Sequence, residues 1–375
     1  MSKKNVYIIS LKYSPGLHKE FHLIGNALEK KGFTIKYLLS NGYANFEDKH
    51  DGVIYITKAE SIKGILFETL KLINCKTFEQ IFYKHPPIFL CFYNPHPLNP
   101  FIARLIKKNY SDVINSLHLH DPYKPNKMPY GIIKMAYFGF VELIQSLTVK
   151  YMDYVISPSK YSSILFRIKF PNFKGKNLIA PLLVPDQKIT VKKNQKYFCI
   201  VGTVHQATGH DTFIKLANYA ASNDLDYEFA IITSSNISKY IKNLTDKGKK
   251  KIKIINKKVI TDLEINELLR ESFAVFKLDR EVTQSGVIPV AYMNGAPVIA
   301  TDIPGLKQNV NHKKNGYIVP LNCDLEYLIK AMEFVKTKFS ELSKNARKSY
   351  EETWSEWTFD RHYNWLIELL TKKSN

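Results

Sequence analysis

Short apolar runs alternate with stretches of helical periodicity along almost the whole chain. Residues 5–10 and 34–39 are rich in β-branched and aromatic side chains, and this composition predicts two strands. Residues 19–31, between them, carry apolar side chains every three or four positions, and Gly32 ends the predicted helix. Strands that alternate with helices are typical of parallel sheets covered by helices, so the pattern predicts an α/β protein.

A second alternating set begins at residue 196 and predicts a second domain. Between the two sets, residues 179–195 contain two prolines among polar and charged residues, which is typical of a linker. The further predicted strands are 154–157, 227–233, 252–255 and 273–276, and the predicted helices of the second set are 237–244 and 262–272. We therefore expect an N-terminal Rossmann-like domain over residues 1–180, a C-terminal one over 195–355, and a terminal helix at 356–375 that crosses back to the first domain.

Residues 281–302, EVTQSGVIPVAYMNGAPVIATD, combine a turn, an apolar helix and a buried strand. Residues that cap helices precede the apolar part, and Gly286 allows a ligand to approach the backbone. The first N–H groups of a helix have no partner within it, and with the macrodipole they attract anions. We expect a diphosphate over Ser285 and Gly286, although an ordinary capped helix beside a sheet would show the same local pattern.

The run SGVIPVAYMNGAPVIATDIPG, followed by an NGYIVP turn, resembles the C-terminal domain of the family-4 retaining glycosyltransferases of GT-B fold. The resemblance covers most of the chain. It implies two Rossmann-like domains facing each other across a cleft, and transfer of a sugar from a nucleotide-sugar with retention of configuration. The family has two glutamates, separated by seven residues, at this helix. Here they fall on Val282 and Val290, with Glu281 one place out of register.

The donor site implied by the resemblance departs from the family at further positions. Thr203 and Thr208 stand where the family has an arginine and a lysine, and Gln308 replaces a third glutamate. Lys277 and Arg280, after the predicted strand 273–276, are expected to supply the missing positive charge. The implied donor-binding residues are Gly202, Thr203, Thr208, Lys277, Arg280, Thr283, Gln284, Ser285, Gly286, Val287 and Val290, with Lys258 and Val259 near the base.

Two polar loops follow apolar runs between residues 88 and 121. Because the carboxyl ends of parallel strands share one edge of a sheet, these loops are expected at a ligand-binding edge. The resembled family places a histidine there, near the donor sugar, and His120 is the match, so His120 and Asp121 are the expected catalytic pair. A single loop histidine is more often a hydrogen-bonded structural residue, but two such loops at one edge of a sheet favour a functional role. The expected acceptor-binding residues are Asn94 and His96 in the other loop, and Gly16 and His18 in the loop at 14–18.

The chain of 375 residues is strongly basic, with 54 Lys and Arg against 34 Asp and Glu, a formal net charge of +20 and a pI near 9.5. Such an excess attracts phospholipid, nucleic acid or a phosphorylated substrate, unless it is simply a solvated lysine surface. The lysine run at 244–258 has no interleaved aromatic residues, so we interpret it as a solvated turn and expect no nucleic-acid partner. Neither a GxGxxG nor a Walker pattern is present, which argues against dehydrogenases and P-loop enzymes.

Several features concern the expected location. The four cysteines are scattered, which suggests a reducing compartment, and the strand-like run directly after the first lysines leads us to expect no signal peptide. The longest apolar stretch, residues 131–149, is interrupted by Lys134 and Glu142, so we expect a buried helix or one lying at a membrane surface.

The expected protein is a cytoplasmic glycosyltransferase at the inner surface of the membrane, acting on a glycan or lipid-linked glycan in cell-surface polysaccharide synthesis. We expect no metal and no other cofactor, because no carboxylate cluster such as Asp-x-Asp is recognised in the sequence. The alternative is a GT-B protein that has lost transfer activity and serves as a binding or scaffolding partner.

Overall fold

The computed structural model describes residues 4–44, 52–59, 61–125, 127, 132–187 and 194–374. The chain divides into two compact units. Unit 1 comprises residues 1–185 together with 356–375, and unit 2 comprises residues 186–355. Both are α/β units.

Within the described residues of unit 1, seven strands form a parallel sheet in the order β3-β2-β1-β4-β5-β6-β7. The strands are β1 Asn5–Ser10, β2 Thr34–Ser40, β3 Val53–Thr57, β4 Pro87–Tyr93, β5 Ile114–His118, β6 Tyr154–Ser157 and β7 Lys176–Ile179. Alternate residues of β1 point to opposite faces: Val6 and Ile8 join one apolar cluster, and Tyr7 and Ile9 join another. The sheet is therefore covered on both faces, as parallel sheets are.

Helices connect these strands and cover the sheet. They are α1 Pro15–Glu29, α2 Ile62–Asn74, α3 Thr77–Lys84, α4 Leu98–Asn109, α5 Ile132–Val149 and α6 Lys160–Lys169. Ser159 caps α6 by accepting a hydrogen bond from the Ser162 amide at 3.0 Å, as its residue type predicts. No helix in the described residues is long and apolar enough to cross a membrane.

Unit 2 repeats this arrangement with a parallel sheet in the order β10-β9-β8-β11-β12-β13. Its strands are β8 Tyr197–Val201, β9 Glu228–Thr233, β10 Ile252–Asn256, β11 Ser272–Lys277, β12 Val298–Thr301 and β13 Gly316–Val319. Its helices are α7 His210–Ser222, α8 Ser238–Ile241, α9 Asp246–Lys250, α10 Asp262–Arg270, α11 Val287–Met293, α12 Pro304–Lys307, α13 Leu325–Thr337 and α14 Phe339–Thr353. The last helix of the chain, α15 Phe359–Ser374, belongs to unit 1 and packs on α1 and β4.

The predicted α/β class with two Rossmann-like sheets is confirmed, and several boundaries are corrected. Helix α1 begins at Pro15 rather than at residue 19, so most of the predicted loop at 14–18 is helical. The predicted helix at 237–244 shortens to α8, and the predicted lysine-rich turn contains the short helix α9. The NGYIVP segment is the edge strand β13 rather than a turn, because it pairs with β12. Part of the predicted linker, residues 188–193, lies outside the described residues.

Candidate active site

The strand order of unit 2 reverses between β8 and β11, which are neighbours in the sheet. The helices that follow these two strands lie on opposite faces of the sheet. In open α/β sheets, ligands bind in the crevice at the carboxyl ends of the strands at such a reversal. The segments that reach this edge are residues 202–209 after β8 and residues 278–286 after β11. Most of the predicted donor-binding residues lie in these two segments.

Gly202 and Gly209 allow the two segments to approach each other. Gly202 has a φ of 113°, and a Cβ placed on it would lie 3.6 Å from Val287 Cγ2, so the end of β8 lies next to the start of α11. Gly209 has a φ of 68°, and a Cβ there would lie only 2.4 Å from the Leu278 carbonyl oxygen. Both positions favour glycine, for backbone conformation and, at Gly209, for space.

The two cations predicted to hold a diphosphate are both engaged within unit 2. Lys277 Nζ lies 2.9 Å from Asp279 Oδ2, and both side chains are nearly buried. The Arg280 guanidinium lies 2.6 Å from Asp211 Oδ2, in the first turn of α7, and also donates to the Gln206 carbonyl. An anionic ligand would therefore meet these cations in competition with two carboxylates.

Thr208, which stands where the family has a lysine, is buried in a local hydrogen-bond network. Its hydroxyl donates to the His205 carbonyl at 2.8 Å and lies 2.9 Å from His210 Nδ1. Burial, and the nearby Lys277 charge, lower the pKa of His210 to about 4. This imidazole is neutral at neutral pH and adds no charge to the edge.

The turn before α11 presents backbone rather than side chains. Thr283 and Ser285 are buried, whereas Gly286 is exposed and a Cβ built on it would meet no atom within 4 Å. Gln308, which replaces the family's third glutamate, donates from Nε2 to the carbonyls of Thr283 and Gly305, each at 3.1 Å. Its amide therefore holds the turn in place.

The remaining donor candidates are partly exposed or peripheral. Thr203 is exposed, and Gln284, Val287 and Val290 are half-buried. Lys258 and Val259 are exposed and follow β10, which lies two strands from β8, a spacing of about 10 Å. The base candidates thus lie in the loop after β10, two strands along the sheet from β8.

In unit 1 the strand order reverses between β1 and β4, and Asn94 lies at that point. It has a φ of 58°, and its Nδ2 donates to the Lys12 carbonyl at 3.1 Å, which ties the loop after β4 to the loop after β1. His96 is 1% exposed, and its Nδ1 accepts from the Leu98 amide at 3.2 Å. Burial, with the Lys12 charge, lowers the pKa of His96 to about 4. His96 thus supports the start of α4 from the interior instead of lining an open site.

His120 and Asp121 follow β5 at the same edge. The His120 carbonyl accepts from Ser162 Oγ at 2.9 Å, its ring is partly buried, and burial lowers its pKa, so that it is neutral at neutral pH. Asp121 is more exposed and lies 3.4 Å from Lys124 Nζ. A neutral imidazole can accept or donate a proton, which is compatible with the predicted catalytic role.

Gly16 and His18 lie in the first turns of α1. Gly16 is exposed, and the His18 ring is stacked on Tyr43 with 5.7 Å between ring centroids. They are close to the end of β1 in sequence, but they are helical residues and not part of a glycine-rich loop.

Sequence reasoning missed a buried ion pair beneath this edge. Glu20 Oε1 on α1 lies 3.6 Å from Nδ1 of His118, the last residue of β5, and the two side chains are 2% and 4% exposed. Tyr93 lies against the same imidazole, and Tyr363 of α15 is stacked on it at 6.2 Å. A charged residue in the interior-facing pattern of α1 was the available signal, because buried carboxylates are nearly always paired.

The sequence does contain one Asp-x-Asp, at Asp224 and Asp226, so the expectation that it contains none is wrong. Both residues are exposed, in the connection from α7 to the amino end of β9, at the edge opposite the donor candidates. Among the residues that the structure describes, no group of three or more His, Cys, Asp or Glu side chains is placed to hold a metal ion.

Residues 195–337 match the family model described as glycosyl transferases group 1. Unit 2 contains a group 1 glycosyltransferase domain. This glycosyltransferase domain spans the strands β8 to β13, and every donor-binding residue predicted from the sequence lies within it.

Solved structures extend the likeness to the whole chain. A sucrose-phosphate synthase from Thermosynechococcus elongatus has a TM-score of 0.74 at 13% identity, over 99% of this chain and all of that one. A glycosyltransferase from Rickettsia africae has a TM-score of 0.71 at 16% sequence identity. The pneumococcal O-GlcNAc transferase GtfA, in complex with UDP and GlcNAc, has a TM-score of 0.72 at 9% identity. Both matches also cover 99% of this chain and all of the other chain. No curated protein is a significant match in sequence. The chain therefore has the GT-B fold.

Proposed function

We propose that the protein is a retaining glycosyltransferase that moves a sugar from a nucleotide-sugar held by unit 2 to a glycan or lipid-linked glycan held by unit 1. The observation that carries this proposal is the group 1 glycosyltransferase domain at residues 195–337, with its donor positions at the β8–β11 reversal. The structure of GtfA with UDP and GlcNAc, which has a similar fold, makes a UDP-sugar the first donor to test.

Donor binding in this proposal relies on backbone and hydroxyl groups more than on charge. The diphosphate lies over the exposed Gly286, near Gly202 and Val287, which the fold brings together. Lys277 and Arg280 contribute to phosphate binding only when their side chains leave the ion pairs with Asp279 and Asp211. Neutral hydrogen bonds are weaker than charge-assisted ones, so we expect modest donor affinity. We further propose that transfer needs no metal and no cofactor.

In unit 1, His120 acts on the reacting sugar as the acid-base or charge-stabilising group, with Asp121 beside it. A neutral, partly buried imidazole at a strand end suits this role. We propose that the reaction takes place in the cytoplasm at the inner surface of the membrane and serves the synthesis of a cell-surface polysaccharide. The net charge of +20 supports attraction to that anionic surface.

A second candidate function is a GT-B protein that binds a partner without transferring a sugar. The specific observation in its favour is that both remaining donor cations are already paired, in a site where valines occupy the two glutamate positions. This alternative predicts no binding of nucleotide-sugars from a broad panel, and a cellular role that survives changes at His120 and Ser285.

Calorimetry with UDP and GDP tests the proposed donor site. Gly286→Val should lower affinity by at least about tenfold, because a branched side chain would occupy the space of the phosphates, while the open surroundings let the fold tolerate it. Gly139→Val on α5 is the matched control, since a Cβ there also meets nothing within 4 Å. Equal affinity in wild type and Gly286→Val would exclude this site.

A further inference from the structure

Unit 1 contains a pocket of about 540 Å³ that is separate from the candidate catalytic residues. It is lined by the last turn of α5 and by the segment joining α6 to β7, so it lies at the amino ends of β6 and β7. His120 and Asn94 lie at the carboxyl ends of their strands, on the opposite edge of the sheet. The volume lies within the range of small-molecule sites, roughly 300–1,000 Å³.

The walls of this pocket are apolar and firmly packed. Val149 and Met152 are 4% and 6% exposed. Phe170 and Phe173 pack on the buried Phe166, with ring centroids 5.1 and 5.2 Å apart respectively. Because these side chains belong to or rest on the core cluster, the cavity is preformed for an apolar group.

The rim of the pocket is basic. Lys150, Lys169 and Lys174 line it, and only Lys169 pairs with a carboxylate among the described residues, that of Glu142 at 3.4 Å. Glu142 is shared with Lys127 at 2.8 Å. The carboxyl ends of α5 and α6 each add roughly half a negative charge. Together they offset about one of the two lysines that have no carboxylate partner among the described residues. About one positive charge remains, which suits a single anionic group.

The helices that end at this pocket also expose apolar side chains. Leu143 and Leu147 on α5 are 56% and 39% exposed, and Ile164 and Ile168 on α6 are 53% and 61% exposed. The two residues of each pair are four positions apart, so they lie on the same face of their helix. Exposed apolar side chains combined with cations are what anionic membrane surfaces bind.

We propose that this pocket binds an anionic membrane lipid, with one acyl chain between the aromatic walls and the headgroup against Lys150 and Lys174. The site would fix unit 1 to a membrane by one lipid molecule. This inference does not depend on sugar transfer, because no residue of the pocket belongs to the proposed donor or catalytic sites.

Sedimentation with vesicles tests the proposal, using phosphatidylcholine alone or mixed with phosphatidylglycerol. Wild type should bind only the anionic vesicles. Lys150→Glu with Lys174→Glu should weaken binding by at least about tenfold, since each lysine near such a surface contributes about fivefold. The control is Lys84→Glu with Lys108→Glu, the same charge change at exposed last-turn lysines of α3 and α4, and it should retain most of the binding.

Filling the pocket separates lipid capture from general charge attraction. Ser146→Phe places a ring in the cavity, and Asn172→Trp does so from the loop if the helix variant fails to fold. Either folded variant should lose at least about tenfold in vesicle affinity. Undiminished binding by the filled variants, equal loss in the control, or binding of monomeric lauric acid without binding of vesicles would each overturn the proposal.

Discussion

Replacing Glu20 by glutamine should remove a buried charge pair that joins three parts of unit 1. Glu20 lies on α1, His118 ends β5, and Tyr363 of α15 is stacked on the imidazole with an interplanar angle of 7°. Glutamine has nearly the same shape, so the substitution changes charge and hydrogen bonding with little change in packing. Removing one partner of a buried pair costs about 3–5 kcal/mol in other proteins.

The pKa of His118 gives a magnitude for this case. Burial disfavours the imidazolium, but the Cys91 and Glu20 side chains outweigh it and raise the pKa of His118 from 6.5 to about 9. At about 1.4 kcal/mol per pH unit, this shift corresponds to about 3 kcal/mol, of which Glu20 supplies a part. Because the folded pKa is raised, this stabilisation is complete below pH 6.5 and is lost as the pH rises through 9.

Hydrogen exchange followed by mass spectrometry measures the effect locally, in peptides covering β5 and α15 and corrected for the intrinsic rate at each pH. The wild-type opening free energy should fall by up to about 3 kcal/mol between pH 6 and 9.5. In Glu20→Gln it should be lower at pH 6 and should fall less over that range, because only the Cys91 contribution to the raised pKa of His118 remains. Glu79→Gln, at an exposed position on α3, should follow wild type within about 1 kcal/mol. Parallel pH profiles in wild type and Glu20→Gln would refute the reasoning.

Two further predictions concern activity. His120→Ala should lower sugar transfer by about two orders of magnitude or more with little change in melting temperature, measured with UDP-sugar donors, and full activity would remove His120 from the mechanism. Lys277→Ala and Arg280→Ala should each reduce turnover at subsaturating donor concentration. Each substitution also leaves a carboxylate without its cation. Asp279→Asn and Asp211→Asn are therefore measured beside them as controls. If the asparagine variants bind donor more tightly than wild type, competition between carboxylate and phosphate is supported, and an unchanged affinity in all four would count against any role of these cations.

The local signals in this sequence were sufficient for the fold. The apolar runs predicted β1 and β6 with their correct bounds, and Ser159 and Asp324, whose residue types favour helix starts, cap α6 and α13. Strand alternation and caps depend on residues within a few positions of one another, so they can be read along the chain. The resemblance of residues 281–302 to glycosyltransferases likewise rests on a contiguous motif, and it led to the domain that residues 195–337 contain.

Only the tertiary structure decided which side chains are charged, buried or available. Arg280 and Asp211 are separated by 69 residues, and His118 and Glu20 by 98, so nothing local in the sequence pairs them. The same holds for His96, which looked like a polar loop residue and is 1% exposed. The physical reason is that the free energy of an ionisable group depends on its desolvation and on its nearest charges, and both are set by segments that only the folded sheet brings together.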